Sequence, residues 1–139
     1  MLRQASTTLS IRAPRTGLHE FTNSVQGFVA KSGIHEGLLT LFCRHTSASR
    51  VVQENAAPAA RRDLEAYFER IAPEGGPYEH DDEGPDDMPA HLRAALTATQ
   101  LSIPVKDGEP VLGTWQGIFL FEHRRSTPER QIALHLIGE

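Results

Sequence analysis

The chain has 139 residues, of which 39% are hydrophobic and 23% charged. This length and composition are typical of one compact globular domain and disfavour collagen, coiled coil and disorder. No apolar run approaches the roughly 18 residues that span a bilayer, and the N-terminus lacks the apolar stretch of a signal peptide. The single cysteine, Cys43, excludes an intrachain disulfide, and its apolar surroundings predict a buried thiol. We therefore expect a cytoplasmic protein with no membrane partner.

The acidic residues are concentrated in one segment. Residues 73–88 contain seven Asp or Glu and no Lys or Arg, within a chain of formal net charge −4. The rest of the chain is mildly basic, but it lacks the basic stripe that binding to duplex nucleic acid requires. We therefore expect no nucleic-acid partner.

The first part of the chain predicts two strands and a helix. Thr7, Leu9 and Ile11 alternate with polar residues, which is typical of a half-buried strand. A short helix is predicted after Asn23. Residues 38–43 form a short, continuously apolar run, which favours a strand that is covered on both faces.

Two helices are predicted in the middle of the chain. The apolar positions of the first recur with amphipathic spacing: Leu64, Tyr67, Phe68 and Ile71. Asn55 or Ala57 is its expected N-cap. The second helix is expected to begin near Asp87, where a carboxylate of Asp86 or Asp87 can cap it and complement its dipole.

The last third predicts short strands at residues 103–105, 111–112, 118–121 and 132–137. Asp107-Gly108 is a strong hairpin signal. The last strand is expected to pair with its predecessor across residues 124–130. Strands, then helices, then strands joined by short turns favour an α+β fold. We expect one domain over residues 1–139, with a largely antiparallel sheet and two to three helices.

His45 is the first candidate for chemistry, because it follows a predicted buried strand, where a rigid sheet can present a side chain to a cleft. Thr46, Ser47 and Ser49 could add hydrogen bonds to the oxygens of a ligand. The alternative is a turn residue with a satisfied imidazole.

The acidic segment and its two histidines are the second candidate. Its carboxylates could bind a hard divalent cation or could form a solvated surface loop. His80 and His91 are donors suited to zinc-like metals, although their spacing matches no metal motif. Adding His45 would give the three-ligand plan of a catalytic zinc site.

Three features near the C-terminus leave more than one interpretation. Trp115 and Gln116 lie between two glycines, Gly113 and Gly117. A position of Trp115 in the hydrophobic core is favoured over a surface on which a ligand stacks. Glu122 and Arg124 share one strand face, which favours a structural ion pair over anion binding. The remaining histidines are interpreted as ordinary: His19, His35, His123 and His135.

Several motifs together resemble the YjbQ family, also called UPF0047, in the same order and with nearly the same gaps over almost the whole chain. They are the runs at 45–49 (HTSAS), 54–55 (EN), 86–91 (DDMPAH), 103–104 (IP) and 112–118 (LGTWQGI), with Tyr78, His80, Glu122 and Arg124. The resemblance implies a small α+β protein that assembles as a homotrimer.

The family also carries the label secondary thiamine-phosphate synthase. The resemblance thus implies a metal-dependent transferase that acts on a phosphorylated small molecule, joining hydroxymethylpyrimidine diphosphate to thiazole phosphate. A divalent metal, zinc-like at the histidines or Mg²⁺ with the diphosphate, would neutralise the leaving group.

Carried over position by position, the resemblance implies three groups of site residues. The catalytic residues are His45, Asp87 and Glu54. The metal ligands are His45, His80 and His91. The substrate-binding residues are Thr46, Ser47, Ser49, Trp115, Gln116 and Arg124.

Two other functions remain open. The same site could activate water, which would make the protein a metal-dependent hydrolase. The protein could also be a non-catalytic trimer that binds a metal or an anion, with its polar residues serving affinity only.

Overall fold

The computed structural model describes residues 1–139 and confirms an α+β fold with three helices and antiparallel sheets. The elements are, in chain order, β1 (Arg3–Ile11), β2 (Gly17–Glu20), α1 (Thr22–Ser32), β3 (Gly37–Cys43), β4 (Ala48–Glu54), α2 (Pro58–Ile71), α3 (Asp87–Leu96), β5 (Gln100–Lys106), β6 (Glu109–Pro110), β7 (Gln116–Glu122) and β8 (Arg130–Gly138). No helix has the length and apolar character needed to cross a membrane.

The strands form two sheets. The larger has the order β1-β8-β3-β5-β6 and the smaller β2-β7-β4, and every pairing is antiparallel. The prediction that the last strand pairs with its predecessor is wrong. β8 pairs with β1 and β3 and lies in the other sheet from β7, because residues 123–129 carry the chain from one sheet to the other rather than forming a hairpin.

The main core lies between the inner faces of the two sheets and helix α1. Alternate residues of β3, β5 and β8 point into it, and Val25 and Val29 of α1 pack against them. The prediction that residues 38–43 are covered on both faces is wrong, since Leu38 and Phe42 are 44% and 47% exposed. Cys43 is buried, as predicted.

β7 is the strand that is buried on both faces. Ile118 and Leu120 belong to the main core, whereas Phe119 and Phe121 form a second cluster with Phe68 of α2. The smaller sheet is therefore a middle layer, packed between the larger sheet and α2. This arrangement holds the end of β7 at a fixed position relative to the helices.

Two local predictions are confirmed in detail. Asp107 and Gly108 both have positive φ, 52° and 77°, at the turn between β5 and β6. Ala57 is the N-cap of α2 and Pro58 occupies its first turn. Ala57 has no side chain that can cap, and Glu54 instead accepts hydrogen bonds from the amides of Ala56 and Ala57.

Arg50 of β4 is a buried charge without a partner. Its side chain is 0% exposed, and none of its three guanidinium nitrogens makes a hydrogen bond. Burial lowers the pKa of Arg50 to about 10. A charge that is removed from water and left unpaired opposes folding.

We therefore expect Arg50→Met to stabilise the protein. An apolar side chain of similar length removes the desolvation cost, and the gain should be about 1–4 kcal/mol in the free energy of unfolding. Denaturant unfolding measures it. Arg62→Met on α2, where the arginine is exposed, is the matched control and should change stability by less than about 0.5 kcal/mol. A less stable Arg50→Met variant would show that Arg50 has a stabilising partner.

Candidate metal centre

The candidate site is assembled by three parts of the chain. The acidic segment runs from the end of α2 to the start of α3, and it carries His80 and Glu83. Helix α3 contributes Asp87 in its first position and His91 one turn later. The end of β7 leads directly to Arg124. Residues four apart on a helix lie on one face, so Asp87 and His91 point towards the same place.

The carboxylate of Asp87 is the centre of the site. Its Oδ2 lies 2.7 Å from Nε2 of His80 and 3.1 Å from Nε2 of His91. Its Oδ1 accepts a hydrogen bond from Nη1 of Arg124. The Asp87 side chain is only 3% exposed, so these three cationic or polar partners replace the water that a carboxylate would otherwise bind.

The surroundings lower the pKa of Asp87 and raise the pKa of His80. Burial acts to raise the pKa of Asp87, but the hydrogen bond from His80 and the charges of His91 and Arg124 outweigh it, so the pKa is lowered. The pKa of His80 is raised, mainly by its hydrogen bond to Asp87. The fold therefore favours an ionised Asp87 carboxylate next to a protonated His80 ring.

The orientation of His91 is fixed by a backbone carbonyl. Nδ1 of His91 lies 2.8 Å from the carbonyl oxygen of Thr46. The Thr46 carbonyl and the ionised Asp87 carboxylate both only accept, so each ring nitrogen of His91 faces an oxygen to which an N–H can donate. His80 is arranged similarly, with Nδ1 3.4 Å from Asp82 and Nε2 turned towards Asp87.

Four donor atoms converge in this way. One ligand atom from each of His80, Glu83, Asp87 and His91 can be chosen so that all lie within 4.8 Å of one another. Two imidazoles and two carboxylates form a donor set of the kind that binds zinc and related divalent ions.

The side chain of Arg124 holds the candidate site together by hydrogen bonds. The prediction that Arg124 forms an ion pair with Glu122 is wrong. Glu122 pairs with Arg130, whereas the Arg124 guanidinium donates to Asp86 (3.1 Å), Asp87 and the carbonyl oxygen of Glu83 (2.9 Å). All three nitrogens of Arg124 are therefore engaged within the chain.

Asp86 does not cap α3 with its side chain, contrary to prediction. Its Oδ2 accepts the bond from Arg124 and another, at 2.8 Å, from the backbone amide of Arg125. Burial acts to raise the pKa of Asp86, but these bonds outweigh it and the pKa is lowered. The carboxylate thus ties the start of α3 to the end of β7.

His45 lies outside the group of four donors. Its Nε2 accepts a hydrogen bond from the backbone amide of Gln131 at 2.8 Å, so the lone pair that could bind a metal is in use. Burial, with the charge of Arg130, lowers the pKa of His45. His45 nevertheless lines a hollow of about 440 Å³ together with Thr46 and His91.

The hydroxyl residues after His45 also have partners within the chain. Oγ of Ser47 accepts a hydrogen bond from Arg130, and Ser49 is fully buried against His123. Thr46 contributes its carbonyl oxygen to His91, and its side chain lines the hollow.

Glu54, Trp115 and Gln116 lie at the opposite end of the smaller sheet. Glu54 pairs with Gln116 at the start of β7, whereas Glu122 ends that strand. Six residues of extended strand separate the two ends by about 20 Å. The core position favoured for Trp115 is wrong, since Trp115 is 62% exposed. Within one chain, Glu54, Trp115 and Gln116 therefore lie far from His80 and His91.

Three residues that the sequence did not single out line or complete polar sites. Glu83 joins the donor group, and His123 and Arg93 line a separate cavity. The position of His123 was detectable, because it continues the alternation of Phe119 and Phe121 in β7. The position of Arg93 depends on how α3 packs.

Known proteins resemble this chain over nearly its full length. Residues 7–139 match the family model described as UPF0047 protein YjbQ-like. The UPF0047 protein sll1880 of Synechocystis is 47% identical over 138 residues, which cover 99% of this chain and 94% of that protein. YjbQ of Escherichia coli O157:H7 is 43% identical, covering 95% and 96%.

Solved structures show the same fold. A YbjQ-like protein of unknown function from Sulfolobus solfataricus P2 superposes with a TM-score of 0.92 at 27% identity, with both chains covered completely. The hypothetical protein APE1520 from Aeropyrum pernix K1 gives a TM-score of 0.89 at 28% identity, covering 97% of this chain and 99% of the other.

Asp87→Asn should destabilise the protein by about 3 kcal/mol, because the amide cannot satisfy two imidazoles and a guanidinium.

The stability of the protein should also depend on pH. The lowered pKa of Asp87 means that the contribution of Asp87 to the free energy of unfolding is present above the unfolded pKa of about 3.9 and is lost as pH falls through the folded pKa. The raised pKa of His80 means that its part is lost as pH rises through the folded value. Denaturant unfolding across pH measures both.

Asp82→Asn is the matched control for Asp87→Asn. Asp82 also faces His80, at 3.4 Å, but it is 80% exposed. We expect a loss of less than about 1 kcal/mol for this variant. Equal losses in the two variants would contradict the central position of Asp87.

Proposed function

Because the chain belongs to the UPF0047 family of YjbQ-like proteins, we propose that it is a small metal-dependent enzyme that acts on a phosphorylated small molecule. The metal ligands are His80, Asp87 and His91, with Glu83 as the nearest fourth donor. The reaction proposed first is the synthesis of thiamine phosphate, in which hydroxymethylpyrimidine diphosphate is joined to thiazole phosphate and diphosphate is released.

The observation that carries the proposal is the orientation of two imidazoles. Nε2 of His80 and Nε2 of His91 approach the same oxygen of Asp87, and the opposite nitrogen of each ring faces an acceptor, Asp82 or the Thr46 carbonyl. Metal-bound histidines commonly donate their second ring N–H to a carboxylate or a carbonyl in this manner. A solvated acidic loop requires no such alignment.

The four donor atoms fit a zinc-like ion after small movements of their side chains. Ligands bound at about 2.1 Å to one tetrahedral ion lie about 3.4 Å apart. The donors here lie within 4.8 Å of one another, and Nε2 of His80 lies 2.7 Å from Oδ2 of Asp87. Movements of about 1 Å in the two exposed side chains, His80 and Glu83, would bring these separations close to about 3.4 Å.

The bound ion would neutralise the charge of a leaving diphosphate. The residues of the chain would orient the ligands and the substrate. Arg124 holds Asp87 through Oδ1 and thereby leaves Oδ2 turned towards the histidines. The hollow lined by His45, Thr46 and His91 adjoins the donor group and is the proposed position of the substrate, with His45 as a contact.

A homotrimer in the cytoplasm belongs to the same proposal. Trp115 is 62% exposed, and large aromatic side chains of this kind are enriched in subunit interfaces. In a trimer, Trp115, Gln116 and Glu54 of one subunit are available to a neighbouring subunit, whereas within one chain they lie far from the histidines.

Zinc should bind at one ion per chain with release of protons. The raised pKa of His80 means that this ring is increasingly protonated as pH falls through and below that pKa, and the proton must leave before the metal binds. Calorimetry in two buffers of different ionisation enthalpy measures the release. His80→Ala and His91→Ala should weaken zinc binding by about 100-fold or more, whereas His135→Ala, which bonds only Gln4, should not. Equal affinity in all variants would place the metal elsewhere.

The metal-loaded protein should release diphosphate when both thiamine precursors are present. The rate should fall by about 100-fold or more in His80→Ala and His91→Ala, because the leaving group loses its counter-charge. Light scattering on the same preparation should give the mass of three chains. Zinc binding without turnover would indicate the non-catalytic metal-binding protein, and release of phosphate from a single precursor would indicate the hydrolase. A monomer would overturn the trimer alone.

A further inference from the structure

We propose that one face of the larger sheet packs against the same face of two further copies of this chain, around a three-fold axis. This face, called the outer face below, consists of the side chains of β1, β8, β3 and β5 that point away from the main core. The inference rests on the homotrimer of the proposed function and not on its metal centre, because it names the surface through which the copies meet.

The strand register arranges the outer face in rows, because residues that pair across antiparallel strands point to the same side of a sheet. In the order β1, β8, β3 and β5, the three complete rows are Gln4, Ile137, Leu38 and Pro104; Ser6, His135, Thr40 and Ser102; and Thr8, Ala133, Phe42 and Gln100. A partial row adds Ser10 and Gln131. None of these fourteen residues is buried within the chain.

The outer face carries no Asp, Glu, Lys or Arg. Charged residues make up 23% of the chain, so fourteen positions would contain about three at that frequency. The charged residues nearest in sequence stand just beyond the ends of β3 and β5: Glu36, Arg44 and Lys106. An uncharged centre within a charged rim is the composition of a surface that is buried in an interface.

The outer face also exposes apolar side chains next to one another. Leu38 is 44% exposed and Phe42 47% exposed, and Ile137 and Pro104 flank Leu38 in the same row. Contiguous apolar surface in water is unfavourable and marks an interaction site. The helices do not supply a cover, since α1 packs into the main core and α2 packs against the smaller sheet.

The composition of the outer face favours a second copy of this chain over other partners. A face without Lys or Arg does not suit a nucleic acid or an anionic lipid surface. Hydroxyl and amide side chains separate its apolar positions, which does not suit lipid chains. Two identical uncharged faces meet without like-charge repulsion, even though each chain carries a formal net charge of −4.

The width of the outer face fits three copies. Four strands about 4.8 Å apart give a width of about 19 Å. Three faces of that width, arranged as the sides of a triangular prism, each lie about 5.5 Å from its axis. Packed sheets lie about 10 Å apart, so each contributes about 5 Å of side-chain thickness. The three faces therefore meet at the axis, and the middle strands β8 and β3, with His135 and Thr40, lie closest to it.

Light scattering on the full-length protein and its variants tests the proposal. Thr40→Glu places one carboxylate per copy beside the axis, where no cation faces it, and should raise the dissociation constant of the assembly by about 100-fold or more. At a concentration at which the wild-type protein has the mass of three chains, the variant should have the mass of one. Ala133→Glu, on the neighbouring strand β8, should act in the same way.

Gln26→Glu is the matched control, because it adds the same charge at an exposed position of α1, away from the outer face. It should keep the mass of three chains. Circular dichroism establishes that each variant is folded. A monomeric wild-type protein, or a folded Thr40→Glu or Ala133→Glu variant with the mass of three chains, would overturn the proposal.

Zinc calorimetry on the same samples separates this proposal from the metal centre. The four donors belong to one chain, so the monomeric Thr40→Glu variant should bind zinc within about twofold of the wild-type affinity. A wild-type trimer that binds no zinc would refute the metal centre, whereas the mass of the glutamate variants would still decide which surface joins the copies.

Discussion

The buried carboxylate of Asp87 is the constraint around which this part of the structure is arranged. It is 3% exposed and is approached by two imidazoles and a guanidinium from three separate segments of the chain. A carboxylate in that position is stable only with such partners. The acidic segment, the start of α3 and the end of β7 are therefore held together by one side chain.

Two successive arginines at the end of β7 divide their bonds between two sites. Arg124 donates to Asp86, Asp87 and the Glu83 carbonyl. The Arg125 side chain donates to Glu74, which lines the cavity formed with Arg93 and His123. The Asp86 carboxylate joins them, because it accepts from the Arg124 side chain and from the Arg125 amide. The four candidate metal ligands and the cavity lined by Arg93 and His123 are thus supported by the same carboxylate, although they share no residue.

The smaller sheet explains why these side chains have fixed positions. β7 is covered by the main core on one face and by Phe68 of α2 on the other. A strand that is packed on both sides cannot shift its register without moving every side chain to the opposite face. The residues that follow β7 therefore have little freedom in where they point.

Local patterns predicted the elements of this fold well where one signal was sufficient. The spacing of Leu64 and Phe68 indicated α2, and Asp107-Gly108 indicated its hairpin, because helix periodicity and turn chemistry act over a few residues. Pairing over long separations was not predicted. β8 pairs with β1 across more than a hundred residues, and no local signal encodes which strand becomes a neighbour.

The candidate site shows the same division. The sequence by itself determined that His80, Asp87 and His91 are candidate ligands. It also determined the one-turn spacing that places Asp87 and His91 on one face of a helix. Only the tertiary structure decided that the His45 ring binds the Gln131 amide, that Glu54 and Trp115 lie at the far end of the sheet, and that His123 has a free nitrogen. The physical reason is that chemistry is a property of single residues, whereas burial and the direction of a hydrogen bond depend on segments that the fold alone brings together.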